Sequence, residues 1–272
     1  MEKTKKKSEW DAVAEKWNTA AGETGVWHQQ HDIDPVILNM LGKVGGKRVL
    51  EVGCGNGYFS RVLAKKGAKV TAVDLSSRLI KLAMGQEKSK PLGITYLVRD
   101  AANLKDLKAN SYDAVVANMS LMDIANAERA VGEAARVLRK NGLFVFSITH
   151  PIFSDFHWSV MTDKKKRHFG KFIYRYLQPF AEKDTLSIAG VLANLTGYHR
   201  PIETYIRYLR KAGLWLDKFR EVATKKKVTK ATKEDGDVTL RRSKYRILAE
   251  KKLKEVAGRE IPLFLTASAV KK

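Results

Sequence analysis

Glycines 53, 55 and 57 follow the apolar run Val49-Leu50-Glu51-Val52, and a helical pattern starts at Tyr58. Alternate glycines let a backbone turn sharply and leave its face bare, so a small ligand can lie against the turn and the helix N-terminus behind it. Steric need alone also explains such a turn, and both readings stand at this point. The spacing is G-x-G-x-G, whereas the dinucleotide fingerprint is G-x-G-x-x-G, which argues against a nicotinamide dinucleotide. Asp74 ends the next strand-like run, Lys69 to Asp74. It lies near the ~20-residue separation at which a carboxylate reaches ribose hydroxyls, and it could equally cap the helix that begins near Ser76. His150 and His199, and more weakly Asp123, are the side chains placed to move a proton. Each histidine could instead fix local hydrogen bonds. Cys54, the only cysteine, sits inside the glycine turn, where fit explains it better than nucleophilic chemistry. His28 and His31 alone make no metal site, and no metal is expected.

These groups need a sheet to hold them. Strand-like runs at 49–52, 69–74, 94–98 and 112–118 alternate with helical patterns at 58–66, 76–88 and 125–139, the rhythm of parallel strands joined by crossover helices. Asn141-Gly142 reads as the left-handed cap of the third helix, ahead of a fifth strand through Ser147. At the N-terminus, Trp10, Val13, Ala14 and Trp17 share one helical face; residues 22–31 are loop-like, and Asp34-Pro35 opens a helix through Leu41. The rhythm stops between 149 and 200, where aromatics collect, and Phe172–Leu177 and Ala193–Tyr198 read as two strands of an antiparallel cap. Loops at the carboxyl edge of a sheet are where ligands are met.

The run from Glu51 to Tyr58, together with Asp74 and the helix, turn and strand over 137–147, resembles the class I S-adenosylmethionine-dependent methyltransferases. The resemblance implies an α/β, Rossmann-like, doubly wound seven-stranded sheet, mostly parallel with an antiparallel last strand at 261–270, plus the small cap insert. It divides the chain into an N-terminal helical lid at 1–45, a cofactor-binding core at 46–149, a substrate cap at 150–200, and the rest of the core at 201–272 with a basic insertion at 223–260. S-adenosyl-L-methionine is the implied cofactor, held by Glu51, Gly53, Cys54, Gly55, Asn56, Gly57, Tyr58, Asp74, Leu75, Asp100, Ala101, Asn118 and Met119. Asp100 is implied to face the adenine amino group, although it could also cap the turn at Asn103. Trp27, Phe172, Tyr174 and Tyr198 are the expected substrate contacts, with simple packing open for Trp27 and His28.

The 272 residues can bury roughly three quarters of their unfolded surface, enough for one large α/β domain with an appended segment. One cysteine allows no disulfide framework, no signal peptide is evident and no apolar run approaches about 18 residues, so a cytoplasmic location without membrane insertion is expected. Fifty-one Lys and Arg against 29 Asp and Glu give a net charge of +22. Such a field attracts nucleic acid, with basic clusters at 164–167, 225–227 and 241–246, while a solvated lysine-rich surface is the plainer reading. Asn118-Met119-Ser120-Leu121 stands where base-amino methyltransferases carry Asn/Asp-Pro-Pro-aromatic, which disfavours nucleobase chemistry. The expected activity is methyl transfer to an O or N atom of a small, partly apolar molecule. An RNA or ribosome-associated methyltransferase, or a cofactor-binding protein without turnover, are the alternatives; oligomeric state is left open.

Overall fold

The computed structural model describes residues 8–153, 159–162, 169–172, 175–188, 190–224 and 262–272. A 3-10 turn at Glu9–Ala12, capped by Ser8, leads into α1 (Ala14–Ala21). A π-helical turn at Gln29–Ile33 replaces the end of the expected loop and runs straight into α2 (Asp34–Leu41), whose first turn tolerates Pro35 because an N–H there has no helical partner. Then come β1 (Arg48–Val52), α3 (Tyr58–Lys65), β2 (Lys69–Asp74), α4 (Ser77–Ser89), β3 (Thr95–Val98), β4 (Tyr112–Asn118), α5 (Ala127–Val137) and β5 (Leu138–Thr149). The strands β6 (Ser159–Thr162), β7 (Phe169–Phe172), β8 (Phe180–Ile188) and β9 (Val191–His199) precede α6 (Ile202–Lys211), β10 (Leu214–Ala223) and β11 (Pro262–Lys271).

Seven of these strands form one sheet in the order β3-β2-β1-β4-β5-β11-β10. β11 runs antiparallel to both neighbours, as the family pattern implies, and the remaining pairs are parallel. One face packs on α2, α3 and α4 through Ile37, Phe59, Leu63 and Ile80; the other packs on α5 and α6 through Val131, Val137, Tyr205 and Leu209. Because both faces are covered, central strands such as β4 read as nearly unbroken apolar runs.

Two local expectations are corrected. Asn141 is left-handed (φ +62°), but it does not cap α5, which ends at Val137. Leu138 is already extended, fully buried and paired with Tyr112, and the next register pair is Ala114 with Leu143, so Asn141-Gly142 forms a bulge within β5. In the cap, the 193–198 strand is found within β9, but its partner is β8, not 172–177; Arg175 (φ +57°) lies instead in a turn. A second ladder joins β6 to β7.

Phe144 is fully buried, and its ring lies 5.6 Å from that of Phe146, which stacks in turn 5.9 Å from Tyr205 of α6. Phe144→Ala should cost about 3 to 5 kcal/mol, through lost burial and the cavity left behind. The urea midpoint is expected to fall with an unchanged slope.

Candidate active site

The order of the sheet reverses between β1 and β4, and the crevice outside their carboxyl ends is where open α/β sheets hold ligands. The glycine turn opens into it. A Cβ on Gly53 (φ +70°) would overlap Ser120, and one on Gly57 (φ +75°) would overlap the Tyr96 ring, so packing demands glycine at both. Gly55 (φ +56°) differs: a Cβ there would meet only Trp17 Nε1, at 3.6 Å. The bare face of the turn is therefore at Gly55, below α1. Asp74 braces the turn from β2, its Oδ2 accepting from Gly55 N and its Oδ1 from Ser76 N, both at 2.8 Å. The cap of α4 is Ser76, which accepts from Leu79 N, so Asp74 is not that cap.

A buried polar network closes the bottom of the crevice. Asn118 Nδ2 donates to Asp34 Oδ1 at 2.9 Å and to Tyr58 Oη at 2.8 Å, while its Oδ1 accepts from Ser147 Oγ at 2.9 Å. Ser147 Oγ also accepts from Met119 N, a residue held at φ +53°. Ser60 Oγ donates to Glu51, which is 2 % exposed. Burial pushes the Glu51 carboxyl up to about 8, with the charges of Asp34 and Asp74 adding to the effect. Asp34 is raised to about 7 by burial, against the hydrogen bonds from Asn118 and Tyr58. Burial also raises Asp74, and raises Asp123 to about 7. The half-buried Asp123 lies just past β4, with the charges of Asp74 and Arg200 acting on it.

The N-terminal segment is tied down over this crevice. Asn56 Nδ2 donates to Asn18 Oδ1 and Gly22 O, and Arg61 Nη1 donates to Asn56 O at 2.8 Å. Asp11 accepts from Ser76 Oγ at 2.6 Å and from Arg78 N. Glu9 accepts from Lys183 Nζ on β8 and from Thr196 N on β9, so lid and cap hairpin meet.

Glu51, Gly53, Cys54, Gly55, Asn56, Gly57, Tyr58, Asp74, Leu75, Asn118 and Met119 are thus brought to one crevice by β1, β2 and β4. Cys54 is buried, and burial pushes its thiol well above the usual range. Asp100 Oδ1 accepts from Ala102 N at 2.9 Å, an Asx turn that presents the buried Ala101 just past β3. Tyr198 is half-buried, with the Arg200 guanidinium 5.1 Å from its ring centre; that guanidinium donates to the Ile124 and Ala125 carbonyls after β4. Trp27 is half-buried in the lid and stacks on His31 at 4.5 Å. Tyr174 and the side chain of Phe172 lie outside the described residues.

The two candidate bases are differently placed. His150 is fully buried, with Nδ1 accepting from Ile152 N and Nε2 2.9 Å from Glu221 Oε1. His199 is 8 % exposed, its Nε2 donates to Tyr176 O, and its ring stacks on Phe180 at 5.0 Å. Burial lowers the His199 pKa. His150 thus links the end of β5 to β10, and His199 links β9 to the turn that carries Tyr176. Sequence reasoning missed Asp34, Ser147, Asp11 and Arg61, whose partners are remote in the chain. Among the described residues no group of three His, Cys, Asp or Glu could hold a metal.

Residues 50–146 match the family of methyltransferase domains. A ubiquinone biosynthesis O-methyltransferase of Alkalilimnicola ehrlichii is 30 % identical over 144 residues, 52 % of this chain and 57 % of the relative. Another so named, from Coxiella burnetii, is 30 % identical over 202 residues, 70 % of this chain and 82 % of the relative. The chain belongs to the S-adenosylmethionine-dependent methyltransferases. A solved S-adenosylmethionine-dependent methyltransferase from Mesorhizobium loti superposes with a TM-score of 0.64 at 27 % identity, covering 87 % of this chain and 96 % of that one.

The crevice of this methyltransferase suits its cofactor. Glu51 feels the charges of Asp34 and Asp74, and Asp123 that of Asp74, so a pyrophosphate would add to the repulsion that keeps these carboxyls protonated, whereas a sulfonium and an ammonium would favour their ionised forms. Gly55 leaves room above the turn, and a carboxylate at Asp74 keeps acceptor capacity beyond its backbone bonds.

Glu51 sets a pH dependence of stability. Folding raises its pKa from 4.5 to about 8, so between those values the folded chain keeps a proton that the unfolded chain has lost. Its contribution is complete below 4.5 and is lost as pH rises through about 8. Urea unfolding of the unliganded protein should show stability falling across that window. Glu51→Gln should flatten the fall.

Proposed function

We propose that this methyltransferase carries the methyl group of S-adenosylmethionine to a hydroxyl oxygen of a small, partly apolar molecule. The observation that carries the reading is the contact of lid and cap hairpin through Glu9, which sets both against the carboxyl edge where a small acceptor would be met. The half-buried rings of Trp27 and Tyr198 suit an apolar acceptor. The O-methyltransferase names of the two bacterial relatives point to oxygen over nitrogen.

In this reading Asp74 accepts from the ribose hydroxyls, Asp100 and Ala101 border the adenine, and Asn118 and Met119 line the methionine end. Glu51 and the turn from Gly53 to Tyr58 shape the floor, with Leu75 beside the ribose. Trp27 and Tyr198 contact the acceptor, and Phe172 and Tyr174 are assigned to the same cap. The bound sulfonium supplies an electrophilic methyl carbon, and the residues around it contribute alignment, which can be worth roughly 7 to 11 kcal/mol. His150 and His199 hold structure in this assignment, because their ring nitrogens already bond to Ile152, Glu221 and Tyr176.

No helix among the described residues is long and apolar enough to cross a membrane. The basic insertion at 223–260 lies outside the described residues from 225 onward. Labelled S-adenosylmethionine, offered with total RNA and with a metabolite extract, tests the acceptor class: label should pass to the small-molecule fraction. Transfer to RNA, lost on neutralising Lys225, Lys226, Lys227, Arg241 and Arg242, would replace this reading with nucleic-acid methylation. By calorimetry S-adenosylmethionine should bind and NAD should not. Asp74→Ala should weaken binding at least tenfold, since each charge-assisted bond lost is worth about 1.5 to 3 kcal/mol.

A further inference from the structure

His28 differs from the other buried or half-buried histidines. Its Nδ1 lies 2.8 Å from Asp32 Oδ2, four residues on, and the Asp32 side chain is fully buried while that of His28 is 35 % exposed. The π-helical turn at Gln29–Ile33 begins beside His28 and contains Asp32, bringing the two side chains together. A carboxylate on Nδ1 fixes the tautomer that carries its proton there and leaves Nε2 with a lone pair. Nε2 has no hydrogen-bond partner among the described residues. His150 and His199, by contrast, are at most 8 % exposed.

The position of His28 is also specific. The segment that carries it crosses the carboxyl edge, from Gly25 against the Tyr58 ring to Asp34 on Asn118 at the end of β4. Its ring lies 5.5 Å from Phe264, which pairs with Thr149 at the end of β5, and Nδ1 is 3.2 Å from Thr224 Oγ1, just past β10. His28 therefore stands over the ends of β5, β11 and β10, beside the crevice where the cofactor is held. Trp27, already assigned to the acceptor, is 5.3 Å away ring to ring.

We propose that His28 is the general base for the acceptor hydroxyl and that Asp32 is its positioning residue, an assignment that rests on the oxygen-acceptor reading above. The hydroxyl proton passes to His28 Nε2. An electron pair of the acceptor oxygen forms the new bond to the methyl carbon, and the carbon–sulfur bond breaks with its pair going to sulfur, which leaves as a neutral thioether. The proton then leaves the exposed side of the ring for water. No further reactant is required.

Two ring hydroxyls of different acidity provide the test at about pH 8: catechol, largely neutral there, and 4-nitrocatechol, largely ionised. His28→Ala should lower kcat on catechol by about 10²- to 10⁴-fold. The loss on 4-nitrocatechol, which needs no base, should stay under about tenfold, with S-adenosylmethionine affinity unchanged and catechol turnover partly restored by added imidazole. Asp32→Asn should lower kcat on catechol in the same selective way. Equal losses on both acceptors, or no loss on catechol, would overturn the base while leaving the acceptor reading standing. Failure of the unaltered protein to methylate either catechol, with label passing instead to RNA or to a nitrogen atom of a compound in the extract, would overturn the acceptor reading and the base with it.

Discussion

The amide of Asn118 is the knot on which the site depends. It lies at the end of β4, where side chains from three other elements meet it: Asp34 from α2, Tyr58 from α3 and Ser147 from β5. Each of these groups is polar and buried, so each would carry a desolvation cost of roughly 1 to 3 kcal/mol if it lost its partner. Satisfied together, they fix the position of the lid helix relative to the glycine turn and hold Met119 in a left-handed conformation that its side chain would otherwise disfavour. The crevice is shaped by hydrogen bonding more than by apolar packing.

Around that knot the carboxyls are arranged with little to neutralise them. Arg61 is close to Glu51, yet its guanidinium is occupied by the carbonyls of Gly22, Glu23 and Asn56. The lid is thereby bound by a cation that does not cancel the acidity of the floor. A strongly basic protein thus keeps a locally acidic crevice, and the sign of its net charge says nothing about the sign of the charge its ligand carries there.

The features legible in the sequence are those whose meaning is local. The glycine turn, Asp74 at the end of its strand and the alternation of strands and helices all lie within short windows, and the sheet follows from them. The Asn141-Gly142 pair misleads because a helix cap and a strand bulge use the same left-handed residue, and only the burial of Leu138 against Tyr112 decides between them. The cap strands are less legible because their aromatics do not alternate cleanly, and β8 carries Glu182, Lys183 and Asp184 against the single ring of Phe180. Asp34 meets Asn118 across 84 positions of the chain, a separation no motif spans. The role of Asp32 beside His28 depends on a π-helical turn in a stretch whose residue types look like loop.

The single cysteine of the chain lies within the glycine turn, buried and with its thiol held in the unreactive protonated form. A thiol reagent can therefore modify this protein only when the turn between β1 and α3 opens to solvent. With no second cysteine to contribute background, the rate of labelling is a clock for that one local opening, and its slowing on ligand addition measures how firmly the floor of the crevice is held shut.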